Sequence, residues 1–210
     1  MLAAAALPGA LAAIPAVEYR KVLYRTIRPQ FLAALPPNPL PTPLSGIGAS
    51  LRGARYTPKG TFDTIYLAED AHTAYIEFHN EMLALMRDMD DEQGVRLPIL
   101  ATLAPHAAFV PSGILDLTRR DVRQHLNTDL NELALPWRTV VQPALSPTQL
   151  LAREVHATGR YLGIRYFSLR NPGGVCLAIF EDLLALRAKG GPDSLDLDGS
   201  AAGGPVQSIP

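Results

Sequence analysis

Between Glu18 and Ile27, β-branched and aromatic side chains interleave with charges, the alternation expected of a half-buried strand. Thr64 to Ala68 reads as a second, shorter strand. Beyond it, Ala74, Phe78, Met82, Leu85 and Met89 recur at intervals of three and four, which predicts an amphipathic helix capped by Asp70. Glu77 falls beside that stripe near the helix start, where it can face a cleft. Leu97 to Leu117 reads as short strands broken by Pro98, Pro105, Pro111 and Gly113. Thr118 opens a helix with the carboxylate of Asp121 in its positive first turn. Ser146-Pro147-Thr148-Gln149 has the form of a capping box with proline at the first helical position, and Gly159 ends that helix. A strand around Tyr161 to Tyr166, a turn at Asn171-Pro172-Gly173-Gly174 and an apolar strand to Phe180 then predict a hairpin, with Ser168 in the connection.

Proline and glycine divide the chain around these elements. Residues 1–17 carry no charged side chain, lack a basic start, and are interrupted by Pro8, Gly9 and Pro15. They are too short to span a hydrocarbon core of about 30 Å, so they read as an apolar N-terminal arm, flexible or loosely docked. Residues 18–188 form the expected domain, and the Gly/Ser/Asp-rich residues 189–210 read as a disordered tail. Arg28 to Ser50 is proline-rich and short of helix formers, and is expected to run as a long surface loop. No later stretch approaches transmembrane length, which makes a cytoplasmic location and no membrane partner the expectation.

Composition narrows the choice of partner. At 210 residues, 48% of them apolar, the chain can bury a full core, and its length favours one domain or a domain with extensions. A net charge of -1 lacks the electrostatic footprint of a non-specific nucleic-acid binder, so direct nucleic-acid binding is not expected. The lone cysteine, Cys176, sits in the apolar run Val175 to Phe180 and reads as a buried small hydrophobe. The five histidines show no metal spacing, and no metal is expected. Gly46-Ile47-Gly48-Ala49-Ser50 begins like a dinucleotide fingerprint but lacks the third glycine, follows a proline-rich loop, and opens no evident helix. Ser168 lacks the Gly-x-Ser-x-Gly elbow of a serine hydrolase.

What remains is a set of polar islands: Leu23-Tyr24-Arg25; Gly53-Ala54-Arg55-Tyr56 leading to Ile65-Tyr66-Leu67 and Glu77; and Arg165-Tyr166-Phe167-Ser168-Leu169-Arg170. Arginines suit a pyrophosphate because their planar forks match its oxygens, and a carboxylate suits a sugar that develops positive charge. In order and spacing the islands resemble the RES domain, whose members are commonly toxins of bacterial toxin-antitoxin pairs. The resemblance spans about Tyr24 to Phe180 and implies a single α+β domain with an ADP-ribosyltransferase-like fold, a mixed or antiparallel sheet with flanking helices. It implies an enzyme that takes NAD as substrate, with no separate cofactor, and cleaves the nicotinamide-ribose bond as an NAD glycohydrolase or phosphorylase. Water or inorganic phosphate would then be the acceptor, and an Xre-like antitoxin the restraining partner. On this reading Glu77 stabilises the ribosyl cation, Arg25 and Arg55 clamp the pyrophosphate, and Tyr66 and Tyr56 stack on the nicotinamide ring. Ser168 orients the ribose or the amide by hydrogen bonding. Arg165 and Arg170 are expected to be structural or rim charges. ADP-ribosyl transfer to a protein target, and a non-catalytic nucleotide- or protein-binding module, stand as alternatives.

Overall fold

The computed structural model describes residues 1–27, 45–88, 101–138, 140, 144–188, 194–195 and 207–209. Helix α1 (Leu7–Ala13) starts with proline in its first turn, where a missing N–H costs nothing. It is firmly docked, unlike the loose arm expected: Leu7, Leu11 and Ile14 belong to the core, and the Tyr161 hydroxyl lies 2.7 Å from the carbonyls of both Leu11 and Ile14. Strand β1 (Val17–Ile27) follows as the alternation predicts. Residues 28–44 of the expected proline-rich loop lie outside the described residues, but its end is helical, as α2 (Ile47–Arg52). A helix therefore does open at the glycine pair. Gly46 permits it, because a Cβ there would lie 2.5 Å from the Thr64 backbone nitrogen, a contact only glycine can make.

Strand β2 (Thr64–Ala68) leads into helix α3 (Ala71–Asp88), capped as expected by Asp70, whose carboxylate accepts from the Thr73 amide at 2.8 Å. Strand β3 (Ala101–Asp116) is one long strand where several short ones were expected. Pro105 falls where the second edge of β3 has no partner among the described residues, so a lost donor is tolerated. Pro111 and Gly113 fall within the register shift between the Tyr19–Val110 and Val17–Ile114 pairs, where the ladder is already interrupted. Pro98 lies outside the described residues. Two short helices, α4 (Arg120–His125) and α5 (Leu130–Leu133), precede α6 (Pro147–Ala157). Both reciprocal bonds of the α6 capping box are present, between Ser146 and Gln149.

Strands β4 (Gly163–Phe167) and β5 (Val175–Phe180) form the predicted antiparallel hairpin, closed by the Gly174 amide donating to the Asn171 carbonyl. Helix α7 (Glu181–Ala188) follows directly. Within the segment read as disordered, Ser194–Leu195 (β6) and Gln207–Ile209 (β7) pair with β3; the rest of it lies outside the described residues.

The sheet is mixed. Its path runs β1-β2-β5-β4-β3-β6, with β3 and β4 parallel, and β1 also pairs with β3 along most of its length. The sheet thus curls back on itself. Both faces are covered, so the two periods of β2 and β5 are both apolar. Ile65, Leu67, Leu177 and Ile179 pack on one side with Leu23 and Ile114, while Ala68, Cys176, Ala178 and Phe180 pack on the other with α1 and α6 residues. Among the described residues no helix is long and apolar enough to cross a membrane.

Candidate functional site

The second face of β2 is not filled along its whole length. Between it, β1, α2, α3 and the connection after β4 lies a cavity of about 390 Å³, within the range of small-molecule sites. Tyr24 pairs with Ala68, so Tyr24, Thr26, Thr64, Tyr66 and Ala68 share one face of the two strands, and all five line the cavity. Charge is sharply segregated here. Arg25, Arg52, Arg55, Arg138 and Arg170 line it, and Glu77 is the sole acid among the described lining residues. A chain of net charge -1 thus concentrates five cations at one hollow, an arrangement suited to a ligand of more than one negative charge.

Glu77 comes from the first turns of α3, on the side that faces β2 and β4. Its two oxygens are held separately. The Ser168 hydroxyl donates to Oε1 at 2.6 Å, and the Arg170 Nε lies 3.3 Å from Oε2. Ser168 follows β4 in a tight turn, and its oxygen also accepts from the amides of Arg170 at 3.1 Å and Asn171 at 2.9 Å. A hydroxyl has one hydrogen to give and two lone pairs, so this one is saturated. Ser168 is 6% exposed and its hydrogen is directed to Glu77, where the expectation had it bonding ribose or amide directly. Arg170, expected at the rim, is part of the same constellation.

Arg25, near the end of β1, donates from Nη2 to the Ser45 carbonyl at 3.1 Å, which turns its guanidinium toward the α2 side of the cavity. Burial pulls its pKa down to about 10 against the opposing charge of Glu181, so it stays protonated at neutral pH. Glu181 also accepts from the Gly46 amide at 2.6 Å, and Ser50 of α2 bonds to Asp63. These contacts fix α2, and with it Arg52. Tyr66 lines the cavity with its ring, while its hydroxyl lies 2.9 Å from Thr57 Oγ1 and accepts from the Tyr56 amide at 3.0 Å. That pair of bonds anchors the turn carrying Arg55.

Tyr56 faces the other way. It is 1% exposed, its ring packs against Tyr166 with centroids 4.6 Å apart, and it does not line the cavity. Burial raises its phenol well above the usual range, as it does for Tyr166 beneath. Stacking of Tyr56 on a ligand is therefore corrected to a core role: a bulky side chain next to Arg55 is drawn in by the packing of α6 and β4. Cys176 is buried as expected, at the cavity floor, with its thiol pushed up chiefly by desolvation. Arg165 is structural, as expected: it bonds Glu69 at 2.5 Å, Asp116 at 3.0 Å and Thr118 at 2.7 Å.

The structure places Arg25, Arg55, Tyr66 and Glu77 along one hollow, with Ser168 bonded to the acid. Arg52, Trp137 and Arg138, which sequence reading did not single out, line it as well. Trp137 and Arg138 lie in no periodic element, and Arg138 stacks over the Trp137 ring at 4.9 Å. Their only signal is that Trp137 is the sole tryptophan of the chain. Among the described residues no group of histidine, cysteine or acid side chains could hold a metal ion.

A family model described as RES domain matches residues 23–198. Among solved structures, the chain is similar to one in the crystal structure of the M. tuberculosis MbcT-MbcA toxin-antitoxin complex, with 20% identity and a TM-score of 0.63. The match covers 97% of this chain and 91% of that one. A likeness at that identity shows a shared fold. No curated protein matches the sequence.

Proposed function

Since the chain belongs to the RES domain family, we propose that it is a toxin that cleaves NAD at the bond between nicotinamide and ribose. The observation that carries this reading is the cavity in which five arginines surround one oriented carboxylate. A dinucleotide brings two negative phosphates and one cationic ring, and the arginines and Glu77 complement these charges. Arg25 and Arg55 clamp the phosphates through bidentate forks, which fixes the reacting sugar. Tyr66 offers its ring to the cationic nicotinamide, a contact of about 0.5 to 2 kcal/mol. As the glycosidic bond stretches, positive charge builds on the ribose and the nicotinamide leaves as a neutral molecule. Glu77 stabilises that charge from a fixed position, because Ser168 holds one oxygen and Arg170 flanks the other. Water, or inorganic phosphate, then takes the ADP-ribosyl group. NAD is the substrate on this reading, and no separate cofactor is required.

The structural neighbour belongs to a toxin-antitoxin complex, and a cognate antitoxin, Xre-like by family, is the proposed restraint here. Leu169, exposed beside Arg170, lines the cavity, and Leu51 is exposed on the neighbouring helix α2, apolar surface that suits a protein cover. The decisive experiment incubates the purified chain with NAD and follows nicotinamide by chromatography. Release of nicotinamide with soluble ADP-ribose or its phosphate is expected, with Glu77→Gln reducing it by roughly 10²-fold or more. Equal turnover by wild type and Glu77→Gln removes the carboxylate from the mechanism, and label appearing on a protein band identifies transfer instead.

A further inference from the structure

Strand β2 runs the length of the cavity, and its two ends differ chemically. At the Ala68 end, Ala68 pairs with Cys176 and Cys176 with Tyr166. This is the carboxylate end: the charge of Glu77 adds to desolvation in raising both Cys176 and Tyr166. At the other end Thr64 pairs with Phe180, Gly46 packs on the Thr64 backbone, and Arg25 lies near Glu181, the residue after Phe180. Four residues of strand separate the ends, about 13 Å.

Two hydroxyls at the far end are unexplained. Thr26 is 6% and Thr64 1% exposed, both line the cavity, and Oγ1 of each has no hydrogen-bond partner among the described residues. They lie on the same face of adjacent strands. A buried hydroxyl left unpaired is costly, and a fold rarely keeps two lining one hollow without use. Each can donate once and accept twice, and rotation about χ1 re-aims it between staggered wells. The phosphates have the arginines as partners, so an uncharged group that both donates and accepts is the matching occupant.

We infer that Thr26 and Thr64 form the subsite for the uncharged, hydrogen-bonding end of the ligand that lies farthest from Glu77. In a dinucleotide held with its reacting ribose at Glu77, that end is the adenosine, through its purine edge or its ribose hydroxyls. The inference rests on the nucleotide reading of the cavity, and it assigns these threonines to binding, well away from the bond that breaks.

The test uses Thr26→Val and Thr64→Val, which replace a hydroxyl by a methyl of nearly the same shape. Titration calorimetry with AMP, inosine monophosphate and nicotinamide mononucleotide, and melting without ligand, are the measurements. Melting temperatures unchanged or raised, AMP affinity reduced about tenfold by each variant, and mononucleotide affinity unchanged are expected. If inosine monophosphate shows the same loss, the ribose hydroxyls are the bound group; if it shows none, the purine amino edge is. Wild type that fails to bind AMP, variants that bind it as tightly as wild type, equal losses for AMP and the nicotinamide mononucleotide, or lowered melting temperatures each overturn the subsite. Nicotinamide release from NAD by the wild type is scored separately. Threonine-dependent AMP binding without release sinks the cleavage reading and leaves the subsite standing, whereas release with silent threonines does the reverse.

Discussion

The Ser168 hydroxyl is saturated by protein groups, so on the proposed reading it serves the reaction without touching the reactant. Its hydrogen goes to Glu77 and its lone pairs to two amides of the following turn. Ser168→Ala removes the anchor of one carboxylate oxygen and leaves two amides to find water. We expect kcat for NAD cleavage to fall roughly 10- to 100-fold, since small misplacement of a reacting group has that effect, with KM nearly unchanged because phosphate binding is elsewhere. Steady-state kinetics check this split; a rise in KM at constant kcat would place Ser168 in ground-state binding instead. Thr57 makes a comparable indirect contribution through Tyr66 and the Arg55 turn.

At the scale of elements, helix α2 and helix α6 contrast in what sets them. Helix α6 carries its own instructions: Ser146 and Gln149 satisfy each other's end of the helix, and Gln149 also donates from its amide to the Ala54 carbonyl at 3.0 Å. Ser146→Ala is expected to destabilise the fold by about 1 kcal/mol, the usual worth of a cap, read as a lower urea midpoint at constant slope. Helix α2 has only six residues and depends on its surroundings, through Gly46 to Glu181 and Ser50 to Asp63. Gly46→Ala forces a Cβ against the immovable Thr64 backbone. That change should displace α2 from the cavity wall and raise KM for the nucleotide, with the far-ultraviolet dichroism of the remaining helices preserved. Strand β3 shows the converse lesson, that prolines end a strand only where the ladder needs their donors.

The whole molecule is held by its curled sheet and by charges that tie its ends together. Glu69, just past β2, meets Arg165 of β4 at 2.5 Å and Lys21 of β1 at 2.6 Å, and Arg165 reaches on to Asp116 of β3. Desolvation opposes ionisation of Glu69, but the hydrogen bonds from Arg165 and Lys21 outweigh it, and its pKa lies below the usual value. A depressed carboxylate stabilises the fold above its unfolded pKa, about 4.3, and loses that contribution as pH falls through the folded value. Unfolding free energy is therefore expected to decline in acid below about pH 4.5, and Glu69→Gln to flatten that decline; an unaltered acid limb in the variant would contradict it. On the other side of the sheet, α1 seals the core. Leu11→Ala should cost about 2 to 5 kcal/mol by chemical denaturation, as for a fully enclosed leucine.

Strands β1 and β2 were legible from the local pattern of their side chains, and the α3 cap, the α6 capping box and the β4–β5 hairpin because their contacts lie close in sequence. The islands were legible too, since Arg25, Tyr66 and Glu77 sit at defined registers of those elements. Tertiary structure decided what local pattern could not. Sequence reading turned both Arg55 and Tyr56 toward a ligand, and only the packing of Tyr56 on Tyr166 shows that the phenol is interior. Trp137 reaches the hollow by lying beside Gly53, far earlier in the chain, a contact that no local pattern signals. The apolar start of the chain carried no signal of its destination, because burying Leu7 and Leu11 requires a surface made by α6 and Tyr161, about 150 residues away. Local chemistry thus determined the elements and the candidate groups, and long-range closure of the sheet decided which of them share a hollow.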